Sequence, residues 1–292
     1  MAALALVVGL MALGGNQAQA THVSCGDTLT ADTTLDSDLT CATAPGLTIG
    51  TNGITLDCDG FTVTGPGSGD GILLDGRSGV TVKSCHVTNF TLGFHLSSSH
   101  GNTLEGNTAK GSGLRGFRLF SSHGNTLIRN RSSGGFDGFK LISSSNNILT
   151  KNAAMDNQLV GFRLESSDGN TLTTNKAWRN GEGFFLILTS GNTLAGNRAL
   201  RNGQGFHLTL SDGTTLLRNT ALGSGANGFV ASATSVSNTF TRNQSFKNGK
   251  FGYIDFSTGS GTAGTDNDYD GNLCTFNTAG GSGPTSLCLP QP

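Results

Sequence analysis

The chain has 292 residues, of which 13% are charged and 35% hydrophobic, with 45 glycines and only 5 prolines. So much glycine without a three-residue period excludes a collagen-like fibre, and the apolar fraction excludes a disordered tail. The formal net charge of −1 hides an asymmetry: residues 21–75 carry eight acids and no Lys or Arg, residues 76–250 carry all 18 Lys and Arg against seven acids (a surplus of +11), and residues 251–292 carry four acids and no base. A basic body between acidic ends favours anionic partners.

In chain order, Ala2 to Leu13 is an apolar run too short to span a bilayer comfortably, and Ala18-Gln19-Ala20 is a small-x-small cleavage pattern. Together they predict a secretory signal over residues 1–20 and an exported protein, secreted, extracellular or periplasmic. No later stretch is apolar enough to make a transmembrane segment. Cys25, Cys41, Cys58, Cys85, Cys274 and Cys288 all follow that point, and an even count in an exported chain favours disulfides. Many pairings are open. The expected one is Cys25–Cys41 and Cys274–Cys288 as staples at the two ends, with Cys58–Cys85 bridging adjacent coils. No Cys-x-x-Cys spacing suggests zinc.

Residues 21–46 show weak periodicity and are expected to form an N-terminal cap. Leu47–Ile49, Ile54–Leu56 and Phe61–Val63 are short apolar runs between Gly and Asn turns, and predict strands. A first legible coil begins at Gly71. From Gly93 to Lys250 one phrase recurs: Gly-Phe-x-Leu, a polar link, Asn-Thr-Leu-x-x-Asn, then a corner rich in Gly and Asn. Its phenylalanines, Phe94, Phe117, Phe139, Phe162, Phe184, Phe206 and Phe229, fall 22 or 23 residues apart. Asparagines keep the same step, from Asn107 and Asn130 to Asn243. Residues 251–292 are expected to be a last coil and a C-terminal cap.

A fixed period of this length marks a solenoid, in which each repeat stacks only on its neighbours. Alternation sends Phe94 and Leu96 inward and His95 outward, with Leu104 and Ala109 as the inward residues of two further strands. Three strands closed by three corners predict an all-β, single-stranded parallel β-helix over residues 47–250, of about eight to ten coils. Unequal corners favour the right-handed form. In-register asparagines in neighbouring coils can pass amide hydrogen bonds along the axis, so Asn107 and its equivalents read as structural. Cys85 and Thr214 are expected to mark where such ladders stop or weaken.

The Gly-Phe-x-Leu and Asn-Thr-Leu-x-x-Asn repeats resemble the pectin-lyase-like superfamily of right-handed parallel β-helices, and more narrowly its NosD-type repeats, over about residues 47–250. The resemblance implies the fold. It leaves the activity open among polysaccharide lyases, hydrolases, epimerases, adhesins and structural modules. NosD-type relatives are associated with copper handling, and His100 and His123, one coil apart, could share a metal, but with only Ser145 and Asp168 following them they read as solvated turn residues.

Two outward columns form the candidate site. The first reads His95, Arg118, Lys140, Arg163, Phe185 and His207; the second reads Ser97, Phe120, Ile142, Glu165, Ile187 and Thr209. Stacked cations beside apolar side chains suit a linear polyanion, with carboxylates on the cations and sugar faces on the aromatics. The ligand-binding set is therefore His95, Arg118, Phe120, Lys140, Arg163, Glu165, Phe185 and His207. A β-eliminating lyase needs a cation to neutralise a uronate and a base for the sugar C5 proton, which Lys140, Arg163 and His95 could supply. A hydrolase needs two facing carboxylates, and Asp57, Asp59, Asp70 and Asp75 are the candidates. Asp266-x-Asp268-x-Asp270-Gly271 has the opening spacing of a calcium loop, and calcium is the only cofactor this sequence suggests. No nucleic-acid module accompanies the basic stretch. The expected function is a secreted β-helix that binds an anionic polysaccharide or cell-surface glycan in a surface, adhesive or structural role. The alternatives are a lyase on a uronate-containing glycan, or a purely structural envelope protein.

Overall fold

The structure is a computed structural model that describes residues 22–290, so the signal expected at residues 1–20 lies outside the described residues. Three parallel sheets of twelve, eleven and twelve strands run the length of the molecule. Each coil gives one short strand to each sheet, and every strand pairs with its equivalents one coil before and after. Leu92–Ser97, Arg115–Phe120 and Asp137–Ile142 lie side by side in the first sheet, with Phe94, Phe117 and Phe139 in register. The fold is the right-handed parallel β-helix that the repeat predicts.

The helix starts earlier than the periodicity suggests. Thr28–Leu29, Thr33–Thr34 and Leu39–Thr40 already form a coil in register with the next, inside the segment expected to be a cap. These strands are two residues long and rich in threonine, so no apolar alternation is visible. Aspartates tie this coil to the next: Asp32 accepts a hydrogen bond from the Thr55 N–H at 2.8 Å and Asp38 from the Thr62 N–H at 2.7 Å. The three disulfides pair as expected, Cys25–Cys41, Cys58–Cys85 and Cys274–Cys288.

The core is a set of axial rows. From Phe94 to Phe229, and on to Tyr253, the inward rings stack nearly parallel, with centroids 4.6–4.9 Å apart. The strand spacing imposes this face-to-face geometry, and burying each ring stabilises the coil by roughly 1.5–3 kcal/mol. The glycine before each Phe has a steric cause. A Cβ on Gly138 would lie 2.6 Å from the Gly161 carbonyl oxygen and 2.8 Å from the Ala154 Cβ. That corner admits only glycine beside a small third-strand residue.

Asparagine ladders line the corners. Asn130 accepts the Asn107 N–H at 2.9 Å, and its amide donates to Asn152 Oδ1 at 3.1 Å and to the Leu104 carbonyl at 2.8 Å. The same pattern runs on to Asn272. Cys85 is where it begins, its N–H donating to Asn107 Oδ1. A parallel ladder from Asn102 to Asn192 breaks at Thr214, whose buried hydroxyl has no partner, and resumes at Asn238. A third ladder, Asn157–Asn180–Asn202, guards the corner before the first sheet and is not apparent from the repeat phrase. Thr214→Asn is expected to restore the missing link and raise stability by about 1–2 kcal/mol, read as a higher denaturant midpoint. An unchanged or lower midpoint would show that the ladder bonds contribute nothing net.

Candidate functional site

The outer face of the first sheet carries both expected columns in the expected register. His95, Arg118, Lys140, Arg163, Phe185 and His207 are paired neighbours, as are Ser97, Phe120, Ile142, Glu165, Ile187 and Thr209. A third column, Asp70, Leu92, Arg115, Asp137, Val160 and Glu182, lies alongside and was not identified in the sequence analysis. Its signal is present: it is the residue immediately before each Gly-Phe. Two of its carboxylates, Asp70 and Glu182, face the histidines one coil on, and Asp137 faces Arg115 in its own column.

The pairs can be followed coil by coil. The Arg118 guanidinium donates to His95 Nε2 at 3.3 Å, so the His95 ring proton sits on Nδ1 and is donated to Asp70 at 2.9 Å. His95 therefore has no free lone pair for the role of base suggested for it. Lys140 and Arg163 each approach Glu165 at 3.2 Å, and Arg115 lies 3.9 Å from Asp137. His207 faces Glu182 at 3.3 Å. Lys140 points outward, yet only 7% of it is exposed, because these charged neighbours close over it. Phe185 is sandwiched between the Arg163 guanidinium, 5.6 Å from its centroid, and the His207 ring, 4.9 Å away. It offers an edge, whereas Phe120 is the exposed ring.

Burial sets the electrostatics. It pushes the Asp137 carboxyl above its ordinary range in spite of Lys140, Arg163 and Arg115 nearby. It pushes the Lys140 ammonium below its ordinary value, helped by Arg163 and Arg115 and opposed by Glu165. Burial also acts to raise Glu165, but Lys140 and Arg163 outweigh it and hold that carboxyl low. Among Arg115, Arg118, Lys140, Arg163, Asp137 and Glu165, four cations face two anions, which leaves +2. The Nε groups of Arg115, Arg118 and Arg163 and Oδ1 of Asp137 are buried without a hydrogen-bond partner.

The Asp137 shift has a signed consequence. Its folded pKa is raised, so the stability it lends is present below the unfolded value, about 3.9, and is lost as pH rises through the folded one. Asp137→Asn is expected to be more stable than the natural protein at neutral pH, with the difference vanishing on acidification. Thermal melts across pH check this, and a variant that is less stable at neutral pH would contradict it.

Apolar residues wall the charged floor. The corner residues Leu114, Phe136 and Leu159 are exposed and stack in consecutive coils, and Phe120 stands on the opposite side. In the next coils the corner shrinks to Gly181 and Gly203, and the ridge ends in an open cleft of about 390 Å³ lined by Leu159, Arg163, Gly181, Glu182 and Phe185.

Other expected sites do not assemble. Asp57 pairs with Lys83 in the second sheet at 3.0 Å and accepts the Asp59 backbone N–H at 3.0 Å, while Asp70 and Asp75 sit at opposite ends of a first-sheet strand, so the four proposed carboxylates are split between two sheets. Asp266, Asp268 and Asp270 are exposed at alternate positions of an extended segment around the strand Asp268–Asp270, not wrapped in a loop.

A family model described as "Periplasmic copper-binding protein (NosD)" matches residues 46–190 and 155–283. The chain belongs to the NosD family. No curated protein matches it. Among solved structures it is similar to the periplasmic alginate epimerase AlgG in a double-mutant form (TM-score 0.59, 13% identity, covering 87% of this chain and 73% of that one). It is also similar to the A-module of the Azotobacter vinelandii mannuronan C-5 epimerase AlgE6 (0.59, 15%, 93% and 88%) and to the catalytic domain of a GH87 alpha-1,3-glucanase (0.58, 14%, 93% and 62%). At these identities the likeness is one of fold.

The donor set of this NosD-family chain does not fit copper. His100 and His123 stack at 5.2 Å, but His100 Nδ1 accepts the His123 backbone N–H at 3.1 Å and His123 Nδ1 accepts that of Ser145 at 3.0 Å. Each neutral ring then keeps its proton on Nε2, the nitrogen a metal would need. All six cysteines are in disulfides. Among the described residues no group of three or more His, Cys, Asp and Glu is gathered to hold a metal ion.

Proposed function

We propose that the outer face of the first sheet binds an extracellular anionic polysaccharide laid along the helix axis. The observation that carries this is the groove floor between Arg115 and Glu165, where four cations face two anions and leave a surplus of two positive charges. Cations of this kind favour anionic acceptors, and a uronate carboxylate supplies two oxygens. The repeat of 4.8 Å per coil presents them in series, and the ridge of Leu114, Phe136 and Leu159 offers apolar surface to the sugar rings. The fold shared with alginate epimerases and a glucanase supports a glycan as the ligand class. Export to a periplasmic or extracellular location is supported by three disulfides and by the periplasmic description of the family.

A second reading, a lyase or related enzyme acting on a uronate, is favoured by one observation. Burial lowers the Lys140 pKa, the direction that a lysine acting as a base requires. Two variants separate the readings. Arg118→Gln, Lys140→Gln and Arg163→Gln combined are expected to weaken polyuronate binding by at least tenfold, at about 0.5–1 kcal/mol per cation. Lys140→Ala alone is expected to leave most binding intact. If it instead abolishes release of unsaturated uronate products by a protein that makes them, the protein is a lyase. If the triple variant binds unchanged, the groove is not the site.

A further inference from the structure

The outer face of the third sheet is as distinctive as the groove, and the glycan reading does not use it. The last residues of five successive third-sheet strands, Met155, Trp178, Leu200, Leu222 and Phe246, are in register and half-buried. They make an apolar stripe about 19 Å long at the usual strand spacing. Exposed cations border it on both sides: Lys176 and Arg198 two residues before the stripe, and Arg179, Arg201 and Lys247 just after it. Lys151, Arg218 and Arg242 hold the corner before the third sheet. Among the described residues, only Arg179 of these eight has an ion-pair partner, Asp156. The acids between residues 157 and 265 belong to the first sheet or the corner after it, not to this face.

The backbone places most of these cations at the bends that bound the sheet. Lys151, Arg179, Arg201, Arg218, Arg242 and Lys247 all sit at left-handed corners, with φ between 52° and 57°. Equivalent corners elsewhere use Gly106, Gly196 and Gly223, but also Ser84, Thr174, Asn89, Asp156 and Phe276. Glycine adopts that conformation without penalty and Lys or Arg does not, so cations occupy positions where local conformation argues against them.

We propose that the third-sheet face docks on a bilayer surface that carries anionic phospholipid headgroups. The cations lie in three columns on both sides of the stripe, a planar grid that no single linear chain can follow and that a headgroup plane matches. Trp178 cannot stack a sugar or a base freely, because the Arg179 guanidinium lies 3.8 Å and the Lys176 ammonium 5.2 Å from its ring centroid. The stripe is otherwise mainly aliphatic, which suits shallow entry at the acyl boundary between cations that remain among the headgroups.

The test is co-sedimentation of the full chain with phosphatidylcholine vesicles, with and without phosphatidylglycerol, for the natural protein and for Lys176→Gln/Arg198→Gln/Arg201→Gln. Binding is expected only with phosphatidylglycerol and should fall with added salt. Each cation at such a surface raises partitioning about fivefold, so the triple variant should bind about 10²-fold less. Its retention on polyuronate should be unchanged. A Leu200→Ser variant keeps every charge and should bind several-fold less if the stripe enters the bilayer. Three results would overturn the proposal: no vesicle binding, binding that ignores lipid charge and is unchanged in the triple variant (which the apolar segment Ala2 to Leu13 would explain), or a triple variant that loses polyuronate retention while keeping vesicle binding.

Discussion

Phe162→Ala is expected to destabilise the protein by about 3–5 kcal/mol, the range for deleting a fully buried aromatic ring. Phe162 has no exposed surface and stacks on Phe139 at 4.8 Å and Phe184 at 4.9 Å, so its loss opens a void between two rings that the strand spacing holds apart. The coils cannot close that void, because sheet pairing fixes the distance between neighbours. In a solenoid, stability is close to a sum of repeats and nearest-neighbour interfaces, so the damage should be local at first. Denaturant unfolding is expected to show a lower midpoint and a broader or split transition, as the coils on either side of Phe162 uncouple. A loss below about 1 kcal/mol would mean that the Phe row is not what holds the coils together.

Gly138→Ala is the second large effect. The added methyl meets the Gly161 carbonyl oxygen at 2.6 Å and the Ala154 Cβ at 2.8 Å, and neither can rotate away. Both belong to adjoining strands, so relief requires a shift of backbone that carries the third-sheet corner with it. Overpacking of this kind costs about 1–3 kcal/mol, and the rigidity of the atoms met puts this case at the upper end. The same shift would move Asp137 and Lys140, which flank the glycine. Polyuronate binding should therefore fall together with stability. A variant of normal stability would show that the corner is looser than its geometry implies. Normal stability with lost binding would show that the corner positions the groove without supporting the core.

The fold was legible because the repeat is so regular. Phe every 22 or 23 residues fixes the coil, and alternation around each Phe fixes which side chains point out. The disulfide pairing followed from where the cysteines fall relative to the coils. Legibility ended where interactions cross coils diagonally. Asp70 with His95 and Glu182 with His207 are 25 residues apart, one coil plus three positions along the strand, so a column-by-column reading sees the histidines and misses their acidic partners. The same limit hid the covered faces of Phe185 and the burial of Lys140, because both depend on what neighbouring coils extend over them. The stripe from Met155 to Phe246 was missed for another reason. The equivalent positions in earlier coils are Thr88, Lys110 and Ser133, so the repeat phrase carries no apolar signature there. Two-residue threonine strands concealed the first coil in the same way.

Retention on immobilised polyuronate, compared with a neutral glucan of similar length at low and high salt, tests the central claim most directly. The natural protein should be held by the polyuronate at low salt, released at high salt and not held by the glucan. The Arg118/Lys140/Arg163→Gln variant should pass through, while the Lys176/Arg198/Arg201→Gln variant is held as before. Equal retention on both glycans, or retention lost only in the third-sheet variant, would contradict the assignment of the first-sheet groove as a glycan site.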